Sequence, residues 1–258
     1  MLAIDALVIQ SRKSGENDVV LTLLTAEHGR VYVCAKGGRS TKSDQLPLAQ
    51  LFTYSNLELY EKNGRRWLKG GSVIRSFYGL SSRLESLAVA SYMAETVLEF
   101  TSEGVPAEEE LRLMLNMLYT LAEEKRSPRL VKAVWEFRLS VISGYAPDLG
   151  LCAGCRSDSP EILDVGNGHV LCRKCYEKQN RFLPKGDERP EGKTSVLLRP
   201  AALLALRTIA EAHPKQILAF SLQAPEDLDC LCRASEAFFL YHVGHGFSTL
   251  DFYHSVCN

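Results

Sequence analysis

The spacing of apolar residues changes once along the chain, near Leu80, and that change limits the folds open to it. Before it, short runs rich in β-branched and aromatic residues recur at residues 6–9, 19–24, 31–35, 51–60 and 67–78, which is the pattern of strands. The segments between them carry turn chemistry: Ser14-Gly15-Glu16-Asn17, Glu27-His28-Gly29, Gly37-Gly38 and Asn63-Gly64. Asn63-Gly64 predicts a hairpin, because both central residues of a type I′ turn need positive φ. Five short strands in the first 80 residues suit a small closed barrel, with the OB-fold as the leading expectation.

Beyond Leu80 the period is helical. Val89, Met93, Val97 and Phe100 share one face, and Leu111, Met114, Leu115, Leu118 and Leu121 recur at three- and four-residue steps. Ser127-Pro128 reads as an N-cap followed by proline at the first helical position. The next helix carries Leu130, Val131, Val134, Phe137 and Val141 and would end at Gly144; Leu228, Leu231, Cys232, Phe238 and Phe239 form a later face. Such stripes are read as bundle core. Residues 183–194, with Pro184, Gly186, Pro190 and Gly192 among charges, read as a linker or mobile loop. The expected architecture is α+β and multidomain: an OB-fold β-barrel over residues 1–80, then an all-α helical domain over 81–258 with a four-cysteine zinc module inserted at 147–180.

The 258 residues are 46% hydrophobic and 24% charged, which excludes a disordered or collagen-like chain. The net charge of −1 argues against a protein that coats nucleic acid by bulk positive charge. Divided at the change of period, however, residues 1–79 hold 11 Lys/Arg against 7 Asp/Glu, and the remainder 19 against 24. A basic β-domain of +4 is joined to an acidic helical one of −5. No stretch reads as a signal peptide or a membrane span, and a cytoplasmic, nucleoid-associated protein with reduced thiols is expected.

Cys152-x-x-Cys155 and Cys172-x-x-Cys175 stand sixteen residues apart, inside the spacing window of a zinc site. Two intervening residues let both sulfurs of a tight turn face one ion. Four thiolates fill a tetrahedral sphere and leave no position for water, so one structural Zn2+ is expected. Two disulfides or a redox Cys-x-x-Cys are the other readings; the reducing compartment disfavours the first, and the second leaves one pair unexplained. His169 is near enough in sequence to be weighed as a ligand and is read instead as a loop histidine. Cys34, Cys230, Cys232 and Cys257 are read as ordinary thiols.

The N-terminal cations Arg12, Lys13, Arg30, Lys36, Arg39, Lys42, Arg65, Arg66 and Lys69 sit mostly in or beside turns. Gly37-Gly38-Arg39-Ser40-Thr41-Lys42-Ser43 reads as a flexible loop able to bring N–H groups and cations to phosphates without a fixed base sequence. Tyr32, Phe52, Tyr54, Tyr60 and Trp67 either stack on single-stranded bases or fill the barrel. No Walker A, Gly-x-Gly-x-x-Gly, His-Glu-x-x-His or Gly-x-Ser-x-Gly motif is found, which lowers any catalytic reading. His242 and His245, followed by glycines, mark a helix end.

Several segments together resemble the RecO family of bacterial recombination mediators: Leu24-Thr25-Ala26-Glu27-His28-Gly29-Arg30, then Val33-Cys34-Ala35-Lys36-Gly37-Gly38-Arg39 with Lys42-Ser43, and Tyr145-Ala146-Pro147-Asp148-Leu149 running into Cys152. The resemblance spans essentially the whole chain. It implies an OB-fold, a helical domain and a zinc module, binding of single- and double-stranded DNA, and annealing of complementary strands. It further implies RecR and the single-stranded DNA-binding protein as partners, and through them the loading of RecA. Lys36 and Arg39 are the leading phosphate contacts, supported by Arg12, Arg30, Lys42, Arg65 and Arg66. The competing reading is an interaction adaptor whose barrel binds RecR or another protein. Neither a membrane nor a small-molecule substrate is expected.

Overall fold

The computed structural model describes residues 2–179 and 195–257; the expected linker at 183–194 lies outside them. The chain divides into two compact units, Met1–Lys125 with Phe247–Asn258, and Arg126–Gly246.

The first unit is built on β1 (Leu2–Lys13), β2 (Val19–Thr25), β3 (Gly29–Ala35), β4 (Thr53–Lys62) and β5 (Arg65–Ser76). They close in the order β1-β2-β3-β5-β4, with β4 returning to β1, all antiparallel except the short β3–β5 contact. This is the connectivity of the OB-fold, as expected. Alternate residues of each strand point inward, so Val8, Leu21, Leu23, Val31, Val33, Leu57, Leu59 and Leu68 form one core, and a one-residue slip would expose them. The β4–β5 turn takes the conformation read from its sequence: φ is 53° at Asn63 and 70° at Gly64, and Lys62 pairs directly with Arg65.

Among the described residues, the helices are α1 (Leu84–Phe100), α2 (Glu108–Ala122), α3 (Pro128–Ile142), α4 (Arg173–Gln179), α5 (Pro200–Glu211), α6 (Pro225–Val243) and α7 (Ser248–Val256). In the first unit α1 packs on α7, with the rings of Tyr92 and Phe247 edge to face at 5.8 Å. The α7 N-terminus carries no cap of its own; the Glu95 carboxylate on α1 accepts from the Thr249 N–H at 3.1 Å.

In the second unit Ser127 caps α3 through the Leu130 N–H, with Pro128 opening the helix, and Gly144 follows its end with φ 94°. The apolar stripe of α3 packs on α6, with Trp135, Phe137 and Phe238 fully buried. Lys132 lies in the same interface, its ammonium 2.7 Å from Glu136 and 2.6 Å from Glu236. The helix α6 ends at Gly244 in the left-handed conformation, which puts His242 and His245 at a helix terminus. A three-stranded sheet in the order β7-β6-β8, formed by β6 (Ile162–Asp164), β7 (His169–Leu171) and β8 (Ser195–Leu197), supports the cysteine pairs. The expected limits 147–180 enclose all four cysteines and two of these three strands. Among the described residues, no helix is long and apolar enough to cross a membrane.

Candidate nucleic-acid interface and metal centre

Barrel register decides which cations can act together. Arg12 pairs with Val20, Val20 with Cys34, Cys34 with Trp67, and Trp67 with Tyr60, so one row of residues runs across five strands. Their neighbours in the core, Leu21, Val33, Leu59 and Leu68, are buried, which puts this row on the outer face. Two residues away from the row come Lys36 after Cys34, Lys62 after Tyr60 and Arg65 before Trp67. Lys36, Tyr60, Lys62, Asn63, Arg65 and Trp67 together line a shallow cleft of about 430 Å³. Its lining holds three cations and no carboxylate.

Arg39 and Lys42 follow Lys36 on the segment after β3. That segment reads as a flexible loop in the sequence; in the structure it is a run of turns, Ser40 to Gly37, Ser43 to Ser40 and Leu46 to Ser43. It is tied to the β1–β2 connection, because the Gly37 N–H donates to Asp18 Oδ1 at 2.7 Å and the Arg39 N–H to the Asn17 carbonyl at 3.0 Å. Arg12, Lys36, Arg39, Lys42, Lys62 and Arg65 are all exposed, and none forms an ion pair with a described acidic group.

The remaining candidates are paired with carboxylates or lie away from the cleft. Arg66 points to the opposite side of β5 from Arg65, and its guanidinium is 2.5 Å from Glu103. Lys69 pairs with Glu58 at 3.0 Å. Arg30 lies at the far end of β3 from Lys36, roughly 20 Å along the strand, with its Nε buried. Lys13, whose neighbours in register are the buried Val19 and Ala35, extends from the end of β1. Of the aromatic candidates, Tyr32 and Tyr60 are exposed and Trp67 is half-buried on the outer face. Phe52 is buried in the unit's interior, and Tyr54 lines a second cleft with Asp5, Glu27 and His28. Burial, then the nearby Asp5 carboxylate, raises the Tyr54 hydroxyl above its usual value. Lys62 and Asn63 escaped sequence reasoning because their hairpin was read only as a turn; a cation on each side of a type I′ turn is the signal that marks it.

The four paired cysteines converge. One sulfur atom from each of Cys152, Cys155, Cys172 and Cys175 lies within 4.8 Å of every other. The Cys155 and Cys172 sulfurs are 3.7 Å apart, close to the ~3.8 Å edge of a tetrahedron with metal–sulfur bonds of about 2.3 Å. The first knuckle is held to β7 by the Ala153 N–H on the Val170 carbonyl, and the second turns from β7 into α4. Burial raises the Cys152 thiol, but the backbone N–H groups of Cys172, Cys155 and Gly154 outweigh it and bring the thiol down to about 6. Cys175 is pushed up to about 12 by hydrogen bonds to Cys155 and Cys172, by desolvation and by its other sulfur neighbour. Cys152 is thus readily a thiolate, and Cys175 resists becoming one unless a cation is present beside it. Gly154 is required by proximity: a Cβ there would stand 2.8 Å from the Cys175 sulfur. The donor set fits a closed metal site, and these four cysteines could hold a metal ion.

All eight cysteines are free, so neither pair is a disulfide. His169 is outside the cluster. Cys230 packs between chain segments, accepting from the Arg199 N–H and donating to the Leu197 carbonyl, while Cys232 bonds the Arg129 carbonyl.

Comparison with known proteins divides the chain between the barrel and the helices that follow it. The family description "Recombination protein O N terminal" matches residues 1–77, and "Recombination protein O C terminal" matches residues 81–251. The chain belongs to the RecO family. Similar RecO proteins include the DNA repair protein RecO of Acetivibrio thermocellus, 31% identical over 97% of this chain and 95% of the relative. The one from Streptomyces coelicolor is 32% identical over 66% of this chain and 73% of the relative. That of Desulfitobacterium hafniense is 36% identical over 66% of this chain and 63% of the relative. Within the RecO frame, the barrel that carries the cationic face is the N-terminal match, and the cysteine cluster falls inside the C-terminal one.

Proposed function

We propose that this protein is a recombination mediator in DNA repair that binds single- and double-stranded DNA through the outer face of its barrel. The observation that carries this reading is the gathering of six exposed cations without ion-pair partners among the described residues, Arg12, Lys36, Arg39, Lys42, Lys62 and Arg65, on or beside one face of a chain whose net charge is −1. On the same barrel, Arg66 and Lys69 are neutralised by carboxylates. Unpaired cations on one side repel each other, and a polyanion that binds them is neutralised and releases its condensed counterions to solution.

Annealing of complementary strands then needs no covalent chemistry. Two strands must be held with phosphate repulsion lowered and their Watson–Crick edges left open. The family membership supports RecR and the single-stranded DNA-binding protein as partners, with RecA loading as the outcome of their joint action. For the cysteine centre we propose one Zn2+ held by Cys152, Cys155, Cys172 and Cys175. Bound there, it would supply four bonds that fix two turns and the start of α4 to the β6–β7 hairpin, with no open position for catalysis.

The test is charge reversal at Lys36→Glu with Arg39→Glu in the full chain, followed by binding to a single-stranded oligonucleotide and to RecR. Loss of DNA affinity with a shallower salt slope is expected. Unchanged DNA binding together with loss of RecR binding would instead make the barrel a protein-docking surface.

A further inference from the structure

The cleft at the β4–β5 hairpin differs from the rest of the basic face in one respect: its cations surround aromatic rings. Lys62 and Arg65 are direct cross-strand partners on the same side of the hairpin. Like charges in such a pair destabilise a hairpin, and neither has a carboxylate partner among the described residues. Lys36 adds a third positive charge from β3's end. Next to them, Tyr60 and Trp67 are also cross-strand partners, and both line the cleft. Asn63, at the turn, contributes an amide with donors and an acceptor. By contrast, the cleft lined by Tyr54 carries Asp5 and Glu27 and no Lys or Arg.

Such a set has a definite chemical preference. The three cations want backbone phosphates. The two aromatic side chains want a flat apolar ring, and an amide beside them wants the edge of that ring. A nucleotide in a duplex offers only the first, because its base is stacked between neighbours and paired along its edge. An unpaired nucleotide offers all three.

We infer that the Tyr60–Trp67 cleft is a subsite for one unpaired nucleotide of single-stranded DNA, its base stacked on these rings and the backbone phosphates around it held by Lys36, Lys62 and Arg65. The inference rests on the proposal that the barrel's basic face binds DNA, and it goes further by assigning the discrimination between single and double strands to this cleft. The remaining cations, Arg12, Arg39 and Lys42, track the backbone of either form. A strand anchored by one splayed base keeps its other bases free, and a duplex product loses the anchor, so the cleft favours release once pairing is complete.

The chain carries its own reporter. It has two tryptophans; Trp135 is wholly buried between helices, whereas Trp67 lines the cleft. Tryptophan fluorescence of the full chain should therefore be quenched by a thymidine oligonucleotide, and not by a blunt duplex or by an abasic strand of the same length at equal occupancy. Trp67→Leu should remove the quenching and weaken single-strand binding about tenfold, the usual loss for one stacked base, with duplex affinity unchanged. Tyr60→Leu should weaken single-strand binding in the same direction with Trp67 still reporting. Equal quenching by duplex and single strand, or a Trp67→Leu variant that loses both affinities equally or neither, overturns the inference. Circular dichroism melting of each variant separates these outcomes from misfolding. Should Lys36→Glu with Arg39→Glu leave all DNA binding intact, the parent reading fails instead; loss there with no single-strand selectivity at Trp67 defeats only the cleft assignment.

Discussion

The salt dependence of DNA binding can be worked directly from the barrel. Six cations on or beside the outer face, Arg12, Lys36, Arg39, Lys42, Lys62 and Arg65, are exposed and lack a described carboxylate partner. If each neutralises one phosphate of a single strand, log K should fall with log salt at a slope of about −4, since each contact contributes roughly 0.7. Affinity for a single-stranded oligonucleotide then drops ~300-fold between about 50 and 200 mM salt. Replacing Lys36 and Arg39 with alanine should bring the slope to about −2.8 and that loss to ~50-fold. Fluorescence anisotropy over a salt series measures both slopes. Arg66→Ala is the internal control: its guanidinium already serves Glu103, so the slope should stay near the wild-type value, with a stability change of about 0–1 kcal/mol. A wild-type slope near zero, or equal slopes for all three proteins, would refute the count and the face on which it rests.

Three further outcomes follow from the second unit. Cys152→Ser with Cys172→Ser removes two donors from a four-sulfur set; the protein should lose stoichiometric zinc in elemental analysis and melt at lower temperature, and a zinc-free wild type with the same melting point would contradict the structural role. Gly154→Val should weaken metal retention against a chelator by tenfold or more, roughly, because its side chain would collide with Cys175; retention equal to wild type would show that the knuckle yields. Lys132→Met should cost about 3–5 kcal/mol in urea unfolding by leaving Glu136 buried without its ammonium. Burial alone would lower the Lys132 ammonium, but Glu136 and then Glu236 raise it above its usual 10.5. A raised folded value means that the pair's stabilisation is complete below the unfolded 10.5 and is lost only as pH rises from there through the folded value. The difference between wild type and variant should accordingly be flat from about pH 6 to 9, and a steep change in that window would point to another group.

Much of this fold is readable in short windows. Asn63-Gly64 predicts its hairpin because positive φ is a property of those two residues. Ser127-Pro128 predicts the start of α3 because the cap is made by Ser127 itself. The paired cysteines predict their cluster because each knuckle is a local turn, leaving only the meeting of two knuckles to the sheet. The helix α7 is not readable this way: its cap comes from Glu95, some 150 residues away. Pro200 opens α5 as Pro128 opens α3, but Arg199 supplies no side-chain cap to announce it.

The cationic face shows where the sequence stops deciding. Composition and turn positions single out the basic residues of the first 80, and they do so without any knowledge of the barrel. They do not distinguish Arg65 from Arg66, adjacent residues of which one enters the cleft and the other pairs with Glu103. Nor do they separate Lys36 from Arg30, which stand at opposite ends of one strand. Those assignments depend on strand register and on the single parallel contact between β3 and β5, where Cys34 meets Trp67 and closes the barrel. Side-chain direction in a strand alternates with every residue, so only the pairing of distant segments decides which charges share a face. The residue types were legible because they are local chemistry; their convergence was not, because it is made by closure.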